Sequence, residues 1–143
     1  MACVRGFKCF SRDMTCRNNF KYVVGKTHCH DGIVQVGCSG LHFSVELKDV
    51  YDFFRNGIYC HVVGSGNVST DSNIVAAENL HVVELLNGVF ISNGVEFHFK
   101  DGKLEDRPDG RPAVIKKSVP CCHFYEDGFI KLTVLNELAE KYF

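Results

Sequence analysis

Asx-Gly dipeptides divide this sequence into short extended pieces, and they constrain its fold more than any other feature. Asp31-Gly32, Asn87-Gly88, Asn93-Gly94, Asp101-Gly102 and Asp127-Gly128 are all of the kind that closes a tight hairpin. Both residue types tolerate the left-handed backbone that a type I′ turn demands. Two of the intervening pieces are Val89 to Ser92 and Val95 to Lys100. The second alternates Val95, Phe97 and Phe99 with Glu96, His98 and Lys100, the pattern of a strand buried on one face. A meander of short antiparallel strands is the expectation.

Strands are also expected at Val4 to Phe10, at Phe20 to Val24 and, after the Asp31-Gly32 turn, at Ile33, Val34 and Val36. Ile58 to Val63, Ile74 to Ala77, Leu80 to Leu86, Val114 to Lys116 and Cys121 to Tyr125 complete the set, with Ser11 to Asn19 and Gly64 to Thr70 as loops. The polar stretch Glu105 to Pro112 carries two of the three prolines and reads as a surface loop. Leu47, Val50, Tyr51 and Phe54 recur at helical spacing, with Ser44 placed as N-cap, Glu46 and Arg55 complementing the dipole, and Gly57 as a left-handed exit. Leu135, Leu138 and Tyr142 point to a terminal amphipathic helix. The fold class read from these patterns is α+β: a single compact domain, mainly antiparallel sheet, with one helix at 44–55 and a second at about 133–142.

A chain of 143 residues, 45% hydrophobic and 12% aromatic, has material for one ordinary core. Its net charge of −1 supplies no field for nucleic acid or an anionic membrane, so partners are expected to be proteins met through local surface. The basic residues Arg5, Lys8, Arg12, Arg17, Lys21 and Lys26 and the later acids Glu105, Asp106, Glu126 and Asp127 read as a mixed, solvated surface. The apolar run Ile58 to Val63 is far short of the roughly 20 residues a membrane helix needs. No apolar signal segment follows Met1, so the eight cysteines are expected as free thiols in a reducing compartment.

The chemistry-bearing residues lie apart in sequence. His28, Cys29, His30, Cys38, Cys60, His61, Cys121, Cys122 and His123 are zinc-ligand types, but no Cys-x-x-Cys pair is present, and Cys121 and Cys122 would point to opposite faces of a strand. A metal site is therefore held only in reserve, at Cys29, Cys38, Cys121 and His123. No local signature marks a Cys-His nucleophile. Gly64-Ser65-Gly66 lacks the lysine ending of a phosphate loop. His42 suits a satisfied core histidine, and Arg5 suits structural pairing as well as ligand binding.

Arg5-Gly6-Phe7, Thr15-Cys16-Arg17, Tyr22-x-Val24-Gly25-Lys26 and Cys38-x-Gly40-Leu41-His42-Phe43 together resemble an uncharacterised domain family of bacteriophages and giant DNA viruses, over about the first 85 residues. The resemblance implies a viral origin and brings no activity. Phe97-x-Phe99-Lys100-Asp101-Gly102-Lys103-Leu104-Glu105-Asp106-Arg107-x-Asp109-Gly110-x-Pro112-Ala113 resembles one MORN-variant repeat unit, and Phe124-Tyr125-Glu126-Asp127-Gly128 the start of a degenerate second. Such units are hairpins that extend a sheet and present an interaction surface. The division expected is a family-like core at 1–86, a hairpin extension at 87–130 and a terminal helix at 131–143.

The first half is also similar in layout to ADP-ribosyltransferases, on Arg5, Gly40-Leu41-His42-Phe43-Ser44 and Ile58 to Gly64. That layout implies NAD held by Arg5, Gly40, His42 and Ser44, with a catalytic glutamate where this chain has Asp71, Ser72 and Asn73. Without that carboxylate the developing positive charge of the transition state goes unstabilised. The leading expectation is a non-enzymatic viral protein, a virion component (minor capsid or accessory) or host-interaction module, with no catalytic residues and no cofactor. A catalytically silent NAD-binding relative is the alternative.

Overall fold

The computed structural model describes residues 3–16 and 20–143. Arg17 of the Thr-Cys-Arg motif lies outside them. Eleven strands and two short helices follow in order: β1 (Val4–Phe10), β2 (Thr27–Cys29), β3 (Leu41–Ser44), α1 (Leu47–Phe53), β4 (Ile58–Asp71), β5 (Ile74–Leu85), β6 (Gly88–Ser92), β7 (Val95–Lys100), β8 (Lys103–Leu104), β9 (Val114–Lys116), β10 (Cys121–Glu126), β11 (Phe129–Leu135) and α2 (Glu137–Glu140). Strand makes up 53% of the chain and helix 8%. The architecture is essentially all-β, which corrects the α+β expectation.

Both helices shrink for identifiable reasons. Leu47, Val50 and Tyr51 do form one buried stripe on α1. Ser44, however, ends β3, where it pairs with Ile74 and Phe7. The backbone is still extended at Glu46 and is extended again at Phe54. Gly57 supplies no left-handed exit: a Cβ there would meet the Phe10 carbonyl oxygen at 2.0 Å, so glycine is required by close approach. At the other end, residues 129–135 pair with β10, and only Glu137–Glu140 turn helical. Leu138 is 62% exposed and the buried residue is Ala139, which packs on Ile115 and Cys122. Hairpin register thus overrides the Leu135, Leu138, Tyr142 spacing, and the expected helix at about 133–142, like the one assigned to 131–143, is corrected.

The first sheet runs β2-β5-β3-β1-β4, and β4 also pairs with β5. Those pairings close a ring of β5, β3, β1 and β4, all antiparallel. Inside it lie Phe10, Leu41, Phe43, Ile58, Cys60, Val62, Val75, Ala77, Leu80 and Val82, with Tyr22 packed against Phe10 at 4.8 Å between ring centroids. The expected strand at 20–24 is a loop that carries Tyr22, and Ile33 to Val36 form no strand. Gly64 to Thr70 belong to β4, whose register shifts at His61/Val62 and Ser65/Val68 let a single long strand bend where a turn was expected.

The second sheet runs β11-β10-β9-β7-β6, with β8 beside β7. Asn93-Gly94, Asp101-Gly102 and Asp127-Gly128 all have positive φ at both residues, as type I′ hairpins require. Asn87-Gly88 is different, because it carries the chain from one sheet to the other. A core of Leu47, Val50, Tyr51, Tyr59, Leu86, Val95, Phe97, Phe99, Leu104, Val114 and Tyr125 fills the space between the sheets. Three backbone bonds lock its edge: Tyr59 N–H donates to the Gly102 carbonyl (2.7 Å), Gly102 N–H to Leu86 (2.9 Å) and Leu86 N–H to Tyr59 (3.0 Å).

At Gly102, φ is +80°, and a Cβ would meet Ile58 at 2.8 Å and the Tyr59 carbonyl oxygen at 3.1 Å. Left-handed backbone costs a substituted residue about 1–2 kcal/mol, and overpacking adds about 1–3. Gly102→Ala is expected to lower unfolding stability in urea by about 2–4 kcal/mol. Gly94→Ala, at φ +75° with nothing within 4 Å of the added carbon, should cost only about 1 kcal/mol.

Candidate functional site

The residues suggested for NAD are dispersed around the first sheet. His42 is a fastening side chain: its Nε2 accepts the Gly37 N–H at 2.9 Å and its Nδ1 lies 3.1 Å from the Gly40 carbonyl, so it holds the turn before β3. Its own carbonyl accepts a bond from the Lys8 ammonium, which also approaches the Phe10 and Tyr22 rings. Gly40 has φ +106°, with Val34, Ala76 and Ala77 close by. The buried Ser44 hydroxyl accepts the Glu46 N–H at 3.1 Å and starts the chain toward α1. Arg5 is exposed and lines a hollow of about 130 Å³ with His61, Val62, Val63, Val83 and Glu84. Neither His42 nor Ser44 lines that hollow. Where the glutamate was sought, Ser72 and Asn73 turn β4 into β5, and Asn73 donates to Asp49 at 3.2 Å.

The charged loop after β8 is a structural clamp. Asp106 Oδ1 accepts the Ala113 and Tyr125 N–H groups at 3.0 and 2.9 Å, and its Oδ2 holds Lys131 at 3.1 Å. Arg107 and Lys117 both pair with Glu96, at 2.9 and 3.2 Å, and keep its carboxyl below the usual carboxylate range. This loop borders an open hollow of about 470 Å³ with His98, Phe99, Lys100 and Pro108.

The second sheet ends on β11, which pairs only with β10 among the described residues. Six of its seven residues are exposed, including Phe129 (50%), Ile130 (45%), Leu132 (56%) and Leu135 (55%). At the other end, β6 exposes Val89 and Ile91. Unpaired strand backbone flanked by apolar side chains is a template for a further strand.

All eight cysteines are free. Burial raises the Cys9 thiol strongly, against a backbone hydrogen bond from Gly57, and raises Cys60 to about 12. Of the residues reserved for a metal, Cys29 and Cys38 are exposed and apart from Cys121 and His123. Among the described residues, no three His, Cys, Asp or Glu side chains converge on a metal position. Cys121 and His123 do meet: Cys121 Sγ lies 3.5 Å from His123 Nε2, and His123 Nδ1 lies 2.9 Å from Thr133 Oγ1. The readable signal was the i, i+2 spacing, which puts both side chains on one strand face. Thr133 follows only once the Asp127-Gly128 turn has set the register.

A family model described as Domain of unknown function (DUF7666) matches residues 4–92, from the start of β1 to the end of β6. No curated protein and no solved structure matches the chain.

Burial first, then the neighbouring charges of Lys116 and Arg55, lower His123 from 6.5 to about 4. The unfolded chain, with an ordinary histidine, takes up a proton that the folded chain refuses, so stability rises with pH across this window. The contribution is complete above about 6.5 and is lost as pH falls to about 4. His123→Gln should flatten the loss of urea midpoint between these two pH values relative to the parent, and parallel slopes would refute the assignment.

Proposed function

This chain belongs to the DUF7666 family, and from its own geometry we propose a non-enzymatic interaction module that takes up an extended segment of a partner protein along β11. The observation that carries this reading is the strand itself: seven residues, unpaired on one side among the described residues, with apolar side chains exposed on both faces. Soluble proteins ordinarily blunt such an edge with charge, proline or brevity. The one charged residue on β11, Lys131, is already held by Asp106. An apolar, uncharged strand is therefore the complementary occupant, added through main-chain bonds with alternate side chains setting specificity.

The resemblance of Phe97 to Ala113 to a MORN-variant unit supports the same reading, because such hairpins extend a sheet sideways. The resemblance of the first half to phage and giant-virus domains supports a virion or host protein as the partner. The protein is then a minor capsid or accessory component, or a host-directed module. No helix is long and apolar enough to cross a membrane among the described residues. The NAD-binding alternative draws no support from the Arg5 hollow, whose volume of about 130 Å³ is small beside the roughly 300–1,000 Å³ of ligand pockets.

Selection of random ten-residue peptides on the immobilised protein is the test. Recovered peptides should alternate apolar residues, protect β11 amides from hydrogen exchange, and bind Leu132→Lys at least about tenfold more weakly, as a charge placed in an added strand requires. Peptides that bind Leu132→Lys unchanged, or that protect other segments, overturn the reading. Nicotinamide release from NAD by the same preparation would favour the enzyme alternative. Peptide mass spectrometry of purified virions separates a packaged component from a host-directed one.

A further inference from the structure

Strand addition leaves one constellation unused, on the face of β10 that looks toward α1. Cys121, His123 and Thr133 form a chain in which the imidazole holds the thiol and the threonine holds the imidazole. With its proton on Nδ1, the neutral imidazole donates to the Thr133 hydroxyl and turns the Nε2 lone pair toward the thiol. The thiol is then the donor across the 3.5 Å contact. His123 is only 8% exposed, so packing fixes the ring, whereas Cys121 keeps partial access to solvent.

Two cations face the same place. Lys116 is the cross-strand partner of Cys121 on β9. Its ammonium and the Arg55 guanidinium both lie against the Tyr51 ring, 5.5 and 4.9 Å from the centroid, and Tyr51 in turn meets Tyr125 hydroxyl to hydroxyl at 3.2 Å. Neither cation enters any of the ion pairs formed among the described residues. A partly exposed thiol held by a fixed imidazole, with two positive charges beside it that form no ion pair among the described residues, suits an anionic reactant.

We propose that Cys121 is a reactive thiol that exchanges with small anionic disulfides, with His123 and Thr133 as positioning residues and Lys116 and Arg55 as the anion-recognising pair. Cys121 gives up its proton to water, and the thiolate Sγ attacks one sulfur of the disulfide. The new S–S bond forms, the old one breaks, and the departing thiolate takes up a proton from water. Cys121 is oxidised to a mixed disulfide, and the reactant is reduced to one equivalent of thiol. Cys122 cannot resolve the product from its own position, since its thiol points to the opposite face and donates to the Ala139 carbonyl at 3.6 Å. The mixed disulfide therefore accumulates. This site does not depend on a partner strand at β11, and the two proposals fail separately.

The test incubates the native full-length protein with glutathione disulfide and reads each thiol by peptide mass spectrometry. Cys121 should be modified about tenfold faster than the more exposed Cys29 and Cys38, a factor at the low end of what local opposite charge supplies for a charged reactant. His123→Asn should remove that advantage and leave Cys29 and Cys38 unchanged. Lys116→Gln should slow exchange with glutathione disulfide and spare exchange with uncharged hydroxyethyl disulfide. If His123→Asn fails to fold, Thr133→Val carries the test with a near-isosteric side chain, and Cys121 should still slow several-fold. A Cys121 rate no higher than that of Cys29 or Cys38, or one unmoved by the folded histidine or threonine variant, overturns the proposal. Equal slowing of both disulfides by Lys116→Gln overturns the anionic selection.

Discussion

The closed triangle of backbone bonds among Tyr59, Leu86 and Gly102 is the constraint on which the arrangement of the two sheets depends. Each of the three residues belongs to a different segment: the start of β4, the chain just past β5, and the turn between β7 and β8. Each gives one N–H and takes one carbonyl bond, so three buried donors are satisfied without any ladder running between the sheets. The bonds would be worth little alone, because water makes comparable ones. Their effect comes from the apolar layer beside them, where Tyr59 packs on Phe99 at 5.0 Å and Tyr51 on Phe97 at 5.1 Å between ring centroids. A turn with no Cβ lets that layer close.

Once the junction is fixed, the second sheet can only grow away from it. Gly102 is buried against β4, β8 is two residues long, and the chain then leaves through the clamped loop. Asp106 ties that loop to Ala113 and Tyr125, which sets where β9 and β10 begin to pair. The Asp127-Gly128 turn then lays β11 on the far side, with nothing beyond it among the described residues. Arg12 reaches over from the loop after β1 to the Asp127 carboxylate and the Phe129 ring, bracing the root of β11 and leaving Leu132 and Leu135 exposed. The exposed edge is thus held at one end by the family domain and presented at the other.

The turns made β6, β7, β9 and β10 legible in sequence, since Asx-Gly pairs fix conformation locally and β7 runs over the residues that alternation marks, whereas β11 was read in part as helix. The first sheet was less legible because its strands are shaped by non-local closure. β4 continues through Gly64 to Thr70, a stretch rich in turn residues, because β5 and β1 flank it and bulges absorb its irregularities. The helices were over-read for a related reason. Leu47, Val50 and Tyr51 satisfy a helical stripe over seven residues, but β3 claims Ser44 before it and extended backbone takes Phe54 after it. Periodicity reports which side chains are buried together, and it does not report where a competing sheet takes the chain away.

The site chemistry followed the same division. Cys121 and Cys122 were weighed as neighbours, and opposed strand faces rightly separate them. The productive relation lies one residue further on, between Cys121 and His123, and it is completed by a threonine ten residues away that only the hairpin register brings opposite. Alternation also divides the duties of β10. Cys122 and Phe124 face α2 and Tyr142, while Cys121, His123 and Tyr125 face α1 and its cations. Burial pushes the thiols of Cys9, Cys60 and Cys122 up and makes them small hydrophobes. Cys29 and Cys38 have solvent but no base within hydrogen-bonding distance among the contacts described. Cys121 combines access with a fixed imidazole, and that combination is a property of the strand face, which no count of cysteines could have shown.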